Sequence, residues 1–395
     1  MAKIMVAMSG GVDSSLAAAL LHEAGHAVTG VTLHLWDGDD ERLAESLCCS
    51  QEMTESARRV CAQLDIPYYV FNYQQEFRRH VIEYFLKEYA QGYTPNPCLA
   101  CNRDIKFRAL LTRADALGFD YVATGHYARV RPPTTDHRPT TSDESDMPVV
   151  DRRSSVVGYQ LLRALDSDKD QSYMLHMLQQ ADLARLMFPL GEYTKPEVRA
   201  MAAERGLASA DRPESQDICF VPGGDYRNLL REERADSLRP GPIVDLAGRE
   251  LGRHEGLPLY TIGQRHGLGI AAKQPLYVTA LDAARNAVVV GPQEALDRHT
   301  LEATQVTFVS PEWPDTPFDC QAQIRSHAAP VPAHVTPGER GQIHVAFARP
   351  QRAVTPGQAV VLYDGDVVLG GGRISAQKSG VRGQESEALL LTSDS

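Results

Sequence analysis

Short apolar runs alternate with amphipathic stretches along the first 126 residues of the chain. The runs have the length and the β-branched or alternating composition of strands, and they occupy residues 3–8, 27–36, 67–71 and 119–126. The stretches between them have the apolar spacing of helices, and they occupy residues 13–23, 52–64, 74–90 and 105–117. Regular alternation of strand and helix predicts a doubly wound parallel sheet, whose ligands bind beyond the carboxyl ends of the strands.

The pattern changes twice after residue 130. Residues 131–157 are rich in Pro, Thr, Ser and Asp, which predicts a flexible surface insertion, and helical spacing returns at 179–187 and 195–205. From about residue 240 onward, short β-rich segments alternate with Pro-Gly turns, a pattern typical of small barrels. We therefore predict an α/β catalytic domain, a small central domain, a C-terminal β-barrel and a disordered tail, with bounds 1–212, 213–292, 293–380 and 381–395.

The amino-acid composition indicates the broad class of the protein. The 395 residues are 43% hydrophobic and 23% charged, which is typical of a soluble globular protein with two or three domains. No apolar run is long enough to span a bilayer, and the first residues have the pattern of a strand and not of a signal peptide, so we expect a cytoplasmic protein with no membrane partner. The net charge of −11 argues only weakly against nucleic acid, because local patches of Lys and Arg decide such binding.

The sequence SGGVDSS, residues 9–15, lies between the first predicted strand and the first predicted helix. Gly10 and Gly11 permit a tight turn, and amide groups at the helix N-terminus would then point at an anion. Asp13 would suit a Mg²⁺ ion that bridges phosphates. The loop is neither a Walker A motif nor G-x-G-x-x-G, and the alternative is an ordinary glycine turn with a helix cap.

The loop resembles the signature of the PP-loop ATP pyrophosphatases, which cleave ATP between its α and β phosphates and adenylate a substrate. The resemblance implies that the loop and the residues just before it bind ATP together with Mg²⁺. The residues concerned are Ala7, Met8, Ser9, Gly10, Gly11, Val12, Asp13 and Ser14. The signature says little about the substrate, so another adenylating ligase that acts on a small molecule stays open at this point.

Cys98 and Cys101 form a C-x-x-C pair in TPNPCLACNRDIKF, residues 94–107. Such a pair is compatible with half a zinc site, a redox dithiol, a pair of cluster ligands or simple packing. No second C-x-x-C or H-x-x-x-H follows at zinc-finger spacing, which disfavours structural zinc. Of the seven cysteines, four match no motif and are interpreted as packing residues: Cys48, Cys49, Cys61 and Cys320.

Six motifs in order extend the resemblance to one family, the tRNA-specific 2-thiouridylases. They are TPNPCLACNRDIKF, ATGHYAR (123–129), DKDQSYML (168–175), SQDICF (215–220), TIGQRHGLGI (261–270) and TPGQAVVLYDGDVVLGGG (355–372). The similarity runs through the chain except for the 131–157 insertion and the tail. It implies a PP-loop domain, a central domain and a barrel, and it implies ATP-dependent replacement of the C2 oxygen of the wobble uridine by sulfur.

Replacement of oxygen by sulfur explains a pair of distant cysteines. ATP turns the oxygen into a leaving group, and a cysteine persulfide can carry the sulfur, which a second thiolate releases by forming a disulfide. The resemblance implies that Cys219 carries the persulfide, and that Cys101 acts as nucleophile or general acid and closes a disulfide with Cys219. Cys101 precedes a helix that we predict to begin near Asp104, and a helix N-terminus lowers the pKa of a thiol.

The resemblance also implies contacts with the substrates. Leu33 would lie beside the adenine and Gly125 near the nucleotide, and a persulfide-carrying donor protein would supply the sulfur. The residues expected to meet the target uracil are Asn96, Pro97 and Cys98, and those expected to meet the tRNA elsewhere are His126, Lys169, Asp170, Gln171, Arg325, Ser326 and Gln358. Two positions depart from the family, since Cys98 stands where many relatives have Asp, and Ser326 stands where many have an aromatic residue that could stack on a base.

Two further alternatives stay open. Cys98, Cys101 and Cys219 could together hold a [4Fe–4S] cluster whose open iron delivers sulfide in place of a persulfide. A non-catalytic tRNA- or nucleotide-binding module is the alternative from another class of protein. It leaves a C-x-x-C pair and a distant cysteine beside an ATP loop unexplained.

Overall fold

The computed structural model describes residues 1–36, 51–133, 158–210 and 218–376. The predicted insertion at 131–157 lies outside the described residues from residue 134 onward, and so does the predicted tail at 381–395. Within the described part of the chain, no helix is long and apolar enough to cross a membrane.

The amino-terminal half folds around a five-stranded parallel sheet whose strands, in spatial order, are Tyr68–Asn72, Ala27–His34, Lys3–Ala7, Tyr121–Thr124 and Leu186–Met187. The strands of this half are β1 Lys3–Ala7, β2 Ala27–His34, β3 Tyr68–Asn72, β4 Tyr121–Thr124, β5 Arg129–Arg131, β6 Gln160–Leu162 and β7 Leu186–Met187. β1 pairs in parallel with β2 on one side and with β4 on the other, so the order of the strands reverses next to β1. The predicted doubly wound sheet is confirmed, and the loop after β1 lies at its switch point.

Helices cover the sheet, and two of them contain π-helical segments. The regular helices are α1 Val12–Glu23, α2 Gln51–Gln63, α5 Gln180–Leu183, α6 Lys195–Glu204 and α7 Tyr226–Glu233. The mixed helix α3 consists of Gln74–Phe77, the π-helical Arg78–Ile82 and Glu83–Ala90, and the mixed helix α4 consists of Pro97–Ala100, the π-helical Cys101–Ala109 and Leu110–Ala116. The helices predicted at 13–23, 52–64, 74–90 and 195–205 are confirmed.

Helix α4 begins eight residues earlier than the predicted start at residue 105. The Oδ1 atom of Asn96 accepts hydrogen bonds from the backbone N–H groups of Cys98, at 3.1 Å, and of Leu99, at 3.3 Å. Pro97 follows at the first helical position, where its missing N–H costs nothing. The expectation that Cys101 precedes the helix is therefore wrong, since Cys98 lies at the helix N-terminus and Cys101 begins the π-helical segment.

The helix predicted at 179–187 is confirmed only as far as Leu183. Leu186 and Met187 instead form β7, which pairs in parallel with Val122 and Ala123 of β4. Leu186 is buried on the same core as Val122, so completion of the sheet edge outweighs the helical spacing of this segment.

The central domain is a four-stranded sheet packed against α3. Its strands are β8 Gly241–Asp245, β9 Glu250–His254, β10 Tyr277–Asp282 and β11 Ala287–Gly291, in the order β10-β11-β8-β9. Phe85 and Tyr89 of α3 share one hydrophobic cluster with Phe220, Ile243 and Val288. The first two domains are therefore joined by a common core.

The carboxyl-terminal domain is a closed six-stranded antiparallel barrel, as the alternating pattern predicts. Its strands are β12 Asp297–Phe308, β13 Phe318–Gln323, β14 Val331–Pro337, β15 Ile343–Arg352, β16 Ala359–Asp364 and β17 Val367–Ile374. Their order is β12-β15-β14-β13-β16-β17, and pairing of β12 with β17 closes the barrel. β6 of the amino-terminal half pairs with β17 through Leu162 and Val367, so this half adds a strand to the sheet of the barrel.

Candidate nucleotide and thiol site

The turn after β1 has a geometry that only glycine permits at one position. Gly10 has φ of +79°, and a Cβ atom there would lie 2.2 Å from the carbonyl oxygen of Met53. The side chain of Ser14 closes the turn, because its Oγ accepts the N–H of Ser9 at 3.1 Å and lies 3.2 Å from the carbonyl oxygen of Gly11. The turn leads directly into α1, whose first amide groups are not used by the helix itself.

Residues from neighbouring strands approach the same turn. Gly125 follows β4, and a Cβ atom on it would lie 2.7 Å from the backbone nitrogen of Ser14. Met8 donates its N–H to the carbonyl of Val31 at 2.8 Å, which continues the pairing of β1 with β2 towards Leu33. Ala7 and Met8 thus lead into the SGGVDSS turn, Gly125 approaches it, and Leu33 follows near the carboxyl end of the neighbouring strand β2.

Lys195 lies against this turn and was not predicted from the sequence. Its Nζ atom donates to both carboxylate oxygens of Asp13, at 2.7 and 2.8 Å, and the hydroxyl of Tyr127 donates to Oδ1 at 2.7 Å. Only 8% of the Lys195 side chain and 32% of the Asp13 side chain are exposed. Lys195 is the first residue of α6, where the helix dipole disfavours a cation, and that conflict is the signal in the sequence that could have identified it.

The Asp13 carboxylate fits the predicted Mg²⁺ in its chemistry. A carboxylate offers about four acceptor directions, and hard cations prefer such oxygens. Lys195 uses one direction on each oxygen and Tyr127 uses one on Oδ1. Among the contacts of the described residues, Oδ2 therefore keeps capacity for a metal ion that also binds phosphate.

The two predicted reactive thiols belong to one hydrophobic cluster. Cys101 is buried, with 8% of its surface exposed, and Cys219 is half-buried against the same cluster, which also contains Phe85 and Phe220. Cys98 is exposed one helical turn before Cys101. Cys101 of the C-x-x-C helix and Cys219 of residues 218–220 thus pack into one hydrophobic cluster, although they are far apart in the sequence.

Two other cysteines have the environment of packing residues. Burial raises the pKa of the Cys61 thiol to about 11 and that of the Cys320 thiol to about 12, so both are largely protonated at neutral pH and are weak nucleophiles. Cys48 and Cys49 lie outside the described residues.

The structure gives no support to the cluster alternative. In residues 1–36, 51–133, 158–210 and 218–376, no group of three or more His, Cys, Asp and Glu side chains is placed to hold a metal ion. Cys98, Cys101 and Cys219 are therefore not arranged as the three ligands of a [4Fe–4S] cluster.

His126 is a neutral side chain in this fold. Burial lowers its pKa to about 3, and its Nδ1 atom lies 2.6 Å from Oγ1 of Thr124. Its ring packs against Phe107 and Phe188. A contact of His126 with tRNA would consequently be a neutral hydrogen bond and not an ion pair with a phosphate.

Several residues of the predicted tRNA contact set belong to one hydrogen-bond network. Asp170 accepts from Arg163 at 3.3 Å, and Arg163 also donates to Oε1 of Gln323 at 3.3 Å. The buried Gln323 donates to the carbonyl oxygens of Arg325, at 2.8 Å, and of Ser326, at 2.9 Å. Arg163 and Gln323, which carried no motif, therefore connect the 168–171 segment to the 325–326 segment of the barrel.

The predicted contacts Arg325 and Gln358 lie at a cleft where the three domains meet. This cleft has a volume of about 400 Å³ and is lined by Thr94, Thr261, Ile262, Gly263, Arg325, Arg352, Ala353, Thr355 and Gln358. Gln358 donates to the carbonyl of Thr94 at 2.9 Å, which joins the barrel to the catalytic domain. Arg325 donates to the carbonyl oxygens of Arg352 and Ala353, which fixes its guanidinium group at the cleft.

A larger cavity of about 670 Å³ runs between α4 and the barrel. Asn96 and Gln358 line it, together with Arg103, Arg108 and Arg373. Among the described residues, those that line the two cavities do not include the SGGVDSS turn. The cavities therefore extend from the amino-terminal end of α4 along the barrel, and the SGGVDSS turn lies outside them.

Models of known protein families match the chain in three consecutive parts. The tRNA methyl transferase HUP domain matches residues 2–223, the tRNA methyl transferase PRC-barrel domain matches 227–292, and the aminomethyltransferase beta-barrel domain matches 298–374. A protein of Roseiflexus sp. (strain RS-1), the tRNA-specific 2-thiouridylase MnmA, is 76% identical over 375 residues, which are 95% of this chain and 100% of that protein.

The chain belongs to the tRNA-specific 2-thiouridylase family. The protein of the same name from Chloroflexus aggregans is 62% identical over 96% of this chain and 100% of its own length. That from Moorella thermoacetica is 50% identical over 94% of this chain and 99% of its own length. The predicted family, its enzyme class and its three-part fold are thereby confirmed.

Proposed function

We propose that this protein carries out ATP-dependent 2-thiolation of the wobble uridine of tRNA, with a persulfide on Cys219 as the sulfur carrier. The observation that supports this mechanism is the placement of Cys219 and Cys101 in one cluster of a 2-thiouridylase family member. The hydrogen-bonded SGGVDSS turn at the switch point of the sheet supports ATP as the activating substrate.

In the first step, the C2 oxygen of the uracil attacks the α phosphorus of ATP, and pyrophosphate leaves. Backbone amides at the start of α1 would bind the phosphates, and the residues from Ala7 to Ser14 would hold the nucleotide with Leu33 and Gly125. Mg²⁺, held by Asp13 and the phosphates, would offset negative charge on the leaving pyrophosphate.

In the second step, the terminal sulfur of the Cys219 persulfide attacks C2, and AMP leaves with the former oxygen. Cys101 then attacks the Sγ atom of Cys219, which releases the thiolated uridine and leaves a Cys101–Cys219 disulfide. A thiol reductant restores both cysteines, and a persulfide-carrying donor protein of the cytoplasm reloads Cys219.

Two features of the start of α4 support a uracil site there. Base chemistry needs the target base outside its stack. Cys98 is exposed at the helix N-terminus, and Asn96 holds that end of the helix through two backbone hydrogen bonds. The uracil would enter here between Asn96, Pro97 and Cys98, next to Cys101.

Nucleoside analysis tests the proposed reaction directly. Unmodified tRNA is incubated with the protein, ATP, Mg²⁺ and a protein persulfide, and its nucleosides are measured by mass spectrometry. We expect 2-thiouridine at the wobble position, together with AMP and pyrophosphate. Production of ADP and phosphate, or a product free of sulfur, would contradict the proposal and favour a different PP-loop ligase.

Binding of tRNA by a chain of net charge −11 must depend on few local cations. Lys169→Ala and Arg325→Ala are each expected to weaken tRNA binding, because each removes a cation that we propose to contact the phosphates. Loss of one phosphate contact should reduce the slope of log affinity against log salt by about 0.7–0.9. Titrations at several salt concentrations measure this slope.

Lys3→Ala is the matched control for the salt titration. Lys3 begins β1 and is exposed at the amino edge of the parallel sheet, opposite to the nucleotide loop. Its removal should leave the slope unchanged. Unchanged slopes in both Lys169→Ala and Arg325→Ala would show that tRNA binds elsewhere.

Cys98 is expected to tolerate replacement, because on the persulfide route it only packs near the uracil. Cys98→Asp should keep most of the thiolation, and Cys98→Ala should keep a good part. The measurement is aerobic 2-thiouridine formation by metal-free protein with a persulfide donor. An inactive metal-free protein, revived by iron and sulfide with a cluster absorbance that Cys98→Ala loses, would contradict the persulfide route.

A further inference from the structure

Two chains of hydrogen bonds run from the predicted tRNA contact segment to the Asp13 carboxylate. In the first, Gln171 and Tyr127 bond to each other twice, since Tyr127 N–H donates to Gln171 Oε1 and Gln171 N–H donates to the Tyr127 carbonyl, both at 2.9 Å. The hydroxyl of the same Tyr127 donates to Asp13 at 2.7 Å. One tyrosine thus joins the 168–171 segment to the nucleotide loop.

The second chain passes through Asp166 and Lys195. One carboxylate oxygen of Asp166 accepts the backbone N–H groups of Asp168, at 3.0 Å, and of Lys169, at 3.3 Å. Its other oxygen accepts the backbone N–H of Lys195 at 2.8 Å. The side chain of Lys195 then reaches both oxygens of Asp13.

Because Tyr127 and Lys195 are buried, their hydrogen bonds hold the Asp13 carboxylate in one position. Tyr127 is 3% exposed and the Lys195 side chain 8%, so neither polar group can easily exchange its partner for water. The ammonium group of Lys195 also lies over the Tyr127 ring, 5.7 Å from its centroid. A shift of the 166–171 segment would therefore be transmitted to the orientation and charge balance of Asp13.

We propose that Tyr127 and Lys195 are positioning residues that couple occupancy of the 168–171 segment by tRNA to the ATP-binding state of the Asp13 loop. This inference rests on the proposed function, because it takes residues 168–171 to be a tRNA contact. tRNA bound to this segment and to the Arg325–Ser326 segment, which the Arg163–Gln323 bridge joins to it, holds Asp13 ready for Mg²⁺ and ATP. Activation of ATP is thereby limited to the tRNA complex.

The test measures coupling between the two ligands. Affinity for the magnesium complex of α,β-methylene-ATP, which cannot be cleaved between its α and β phosphates, is determined with and without saturating tRNA. We expect tRNA to tighten binding in the unaltered protein by a factor within the usual range for coupled sites, about 5- to 150-fold. Lys195→Met and Tyr127→Phe should each reduce this factor towards one. Lys195→Arg, which keeps the charge, should keep part of the factor that Lys195→Met loses.

Control measurements separate coupling from simple structural support. Tyr127→Phe removes one hydroxyl and keeps the ring and both backbone bonds to Gln171, so it should fold even if Lys195→Met does not. Lys3→Met makes the same lysine substitution at the opposite edge of the sheet and should keep the full factor. If the Lys195–Asp13 ion pair only supported the fold, the Lys195 variants would lose thermal stability. The factor by which tRNA tightens binding of the ATP analogue would then stay unchanged.

The outcomes distinguish this inference from the proposed function. If the unaltered protein forms 2-thiouridine, AMP and pyrophosphate but shows no coupling, the inference is wrong and the proposed function stands. The inference is also wrong if Lys195→Met and Tyr127→Phe bind the analogue with the coupling factor of the unaltered protein. If the unaltered protein forms none of the three products, the proposed function itself is wrong, whatever the coupling measurement shows.

Discussion

Asp13→Ala is expected to reduce tRNA-dependent release of pyrophosphate by at least about 100-fold, the size of effect seen when one preorganised electrostatic group is removed from an active site. The variant loses the only carboxylate that the SGGVDSS turn contributes and, with it, the proposed contact to Mg²⁺. A coupled assay for pyrophosphate, run with and without tRNA, measures the effect. Release of pyrophosphate at the rate of the unaltered protein, or release of ADP and phosphate, would contradict the role of Asp13.

A loss of folding must be separated from this loss of activity. Asp13→Ala leaves the largely buried Lys195 ammonium without its carboxylate, and such an uncompensated charge destabilises a protein by up to about 3–5 kcal/mol. Combining Asp13→Ala with Lys195→Met removes the charge as well. We expect the double variant to regain thermal stability and to stay inactive, which would show that the loss of activity is not a loss of folding.

Cys219→Ser is expected to abolish thiolation while release of pyrophosphate and adenylation of the tRNA continue. The serine hydroxyl cannot carry a persulfide sulfur, whereas the SGGVDSS turn and the proposed uracil site at the start of α4 are unchanged. Peptide mass spectrometry of the unaltered protein, after incubation with a persulfide donor, should find one additional sulfur on Cys219. Full thiolation by Cys219→Ser, with a protein persulfide as the only sulfur source, would refute this role.

Cys320→Ser is the matched control for the cysteine experiment. Burial in the barrel raises the pKa of the Cys320 thiol to about 12, so it is protonated at neutral pH. Cys320 lies in β13 and packs against the barrel core, not against the cluster of Cys101 and Cys219. We expect its serine variant to thiolate tRNA normally. Loss of thiolation in this variant as well would indicate a general effect of cysteine replacement on folding.

The boundaries of helices α4 and α5 show which structural features have a local signal in the sequence and which do not. Asn before Pro is a recognised start of a helix, because Asn caps the first amides and Pro needs no N–H at the first position. Asn96 and Pro97 carry this signal, and the predicted helix start near Asp104 overlooks it, which puts Cys101 wrongly ahead of the helix. The strand Leu186–Met187 has no comparable local signal, since only its partner β4 makes it a strand.

The sequence by itself determined the parallel sheet, the glycine turn, the barrel and the family. These follow from period-2 and period-3.6 patterns, from turn residues and from contiguous motifs, all of which are local along the chain. Only the tertiary structure decided which side chains meet, as Lys195 with Asp13, Gln323 with the Arg325 segment, and Cys219 with the cluster of Cys101. Such contacts join residues far apart in the chain, and they depend on how sheets and domains pack against each other, which no local pattern encodes.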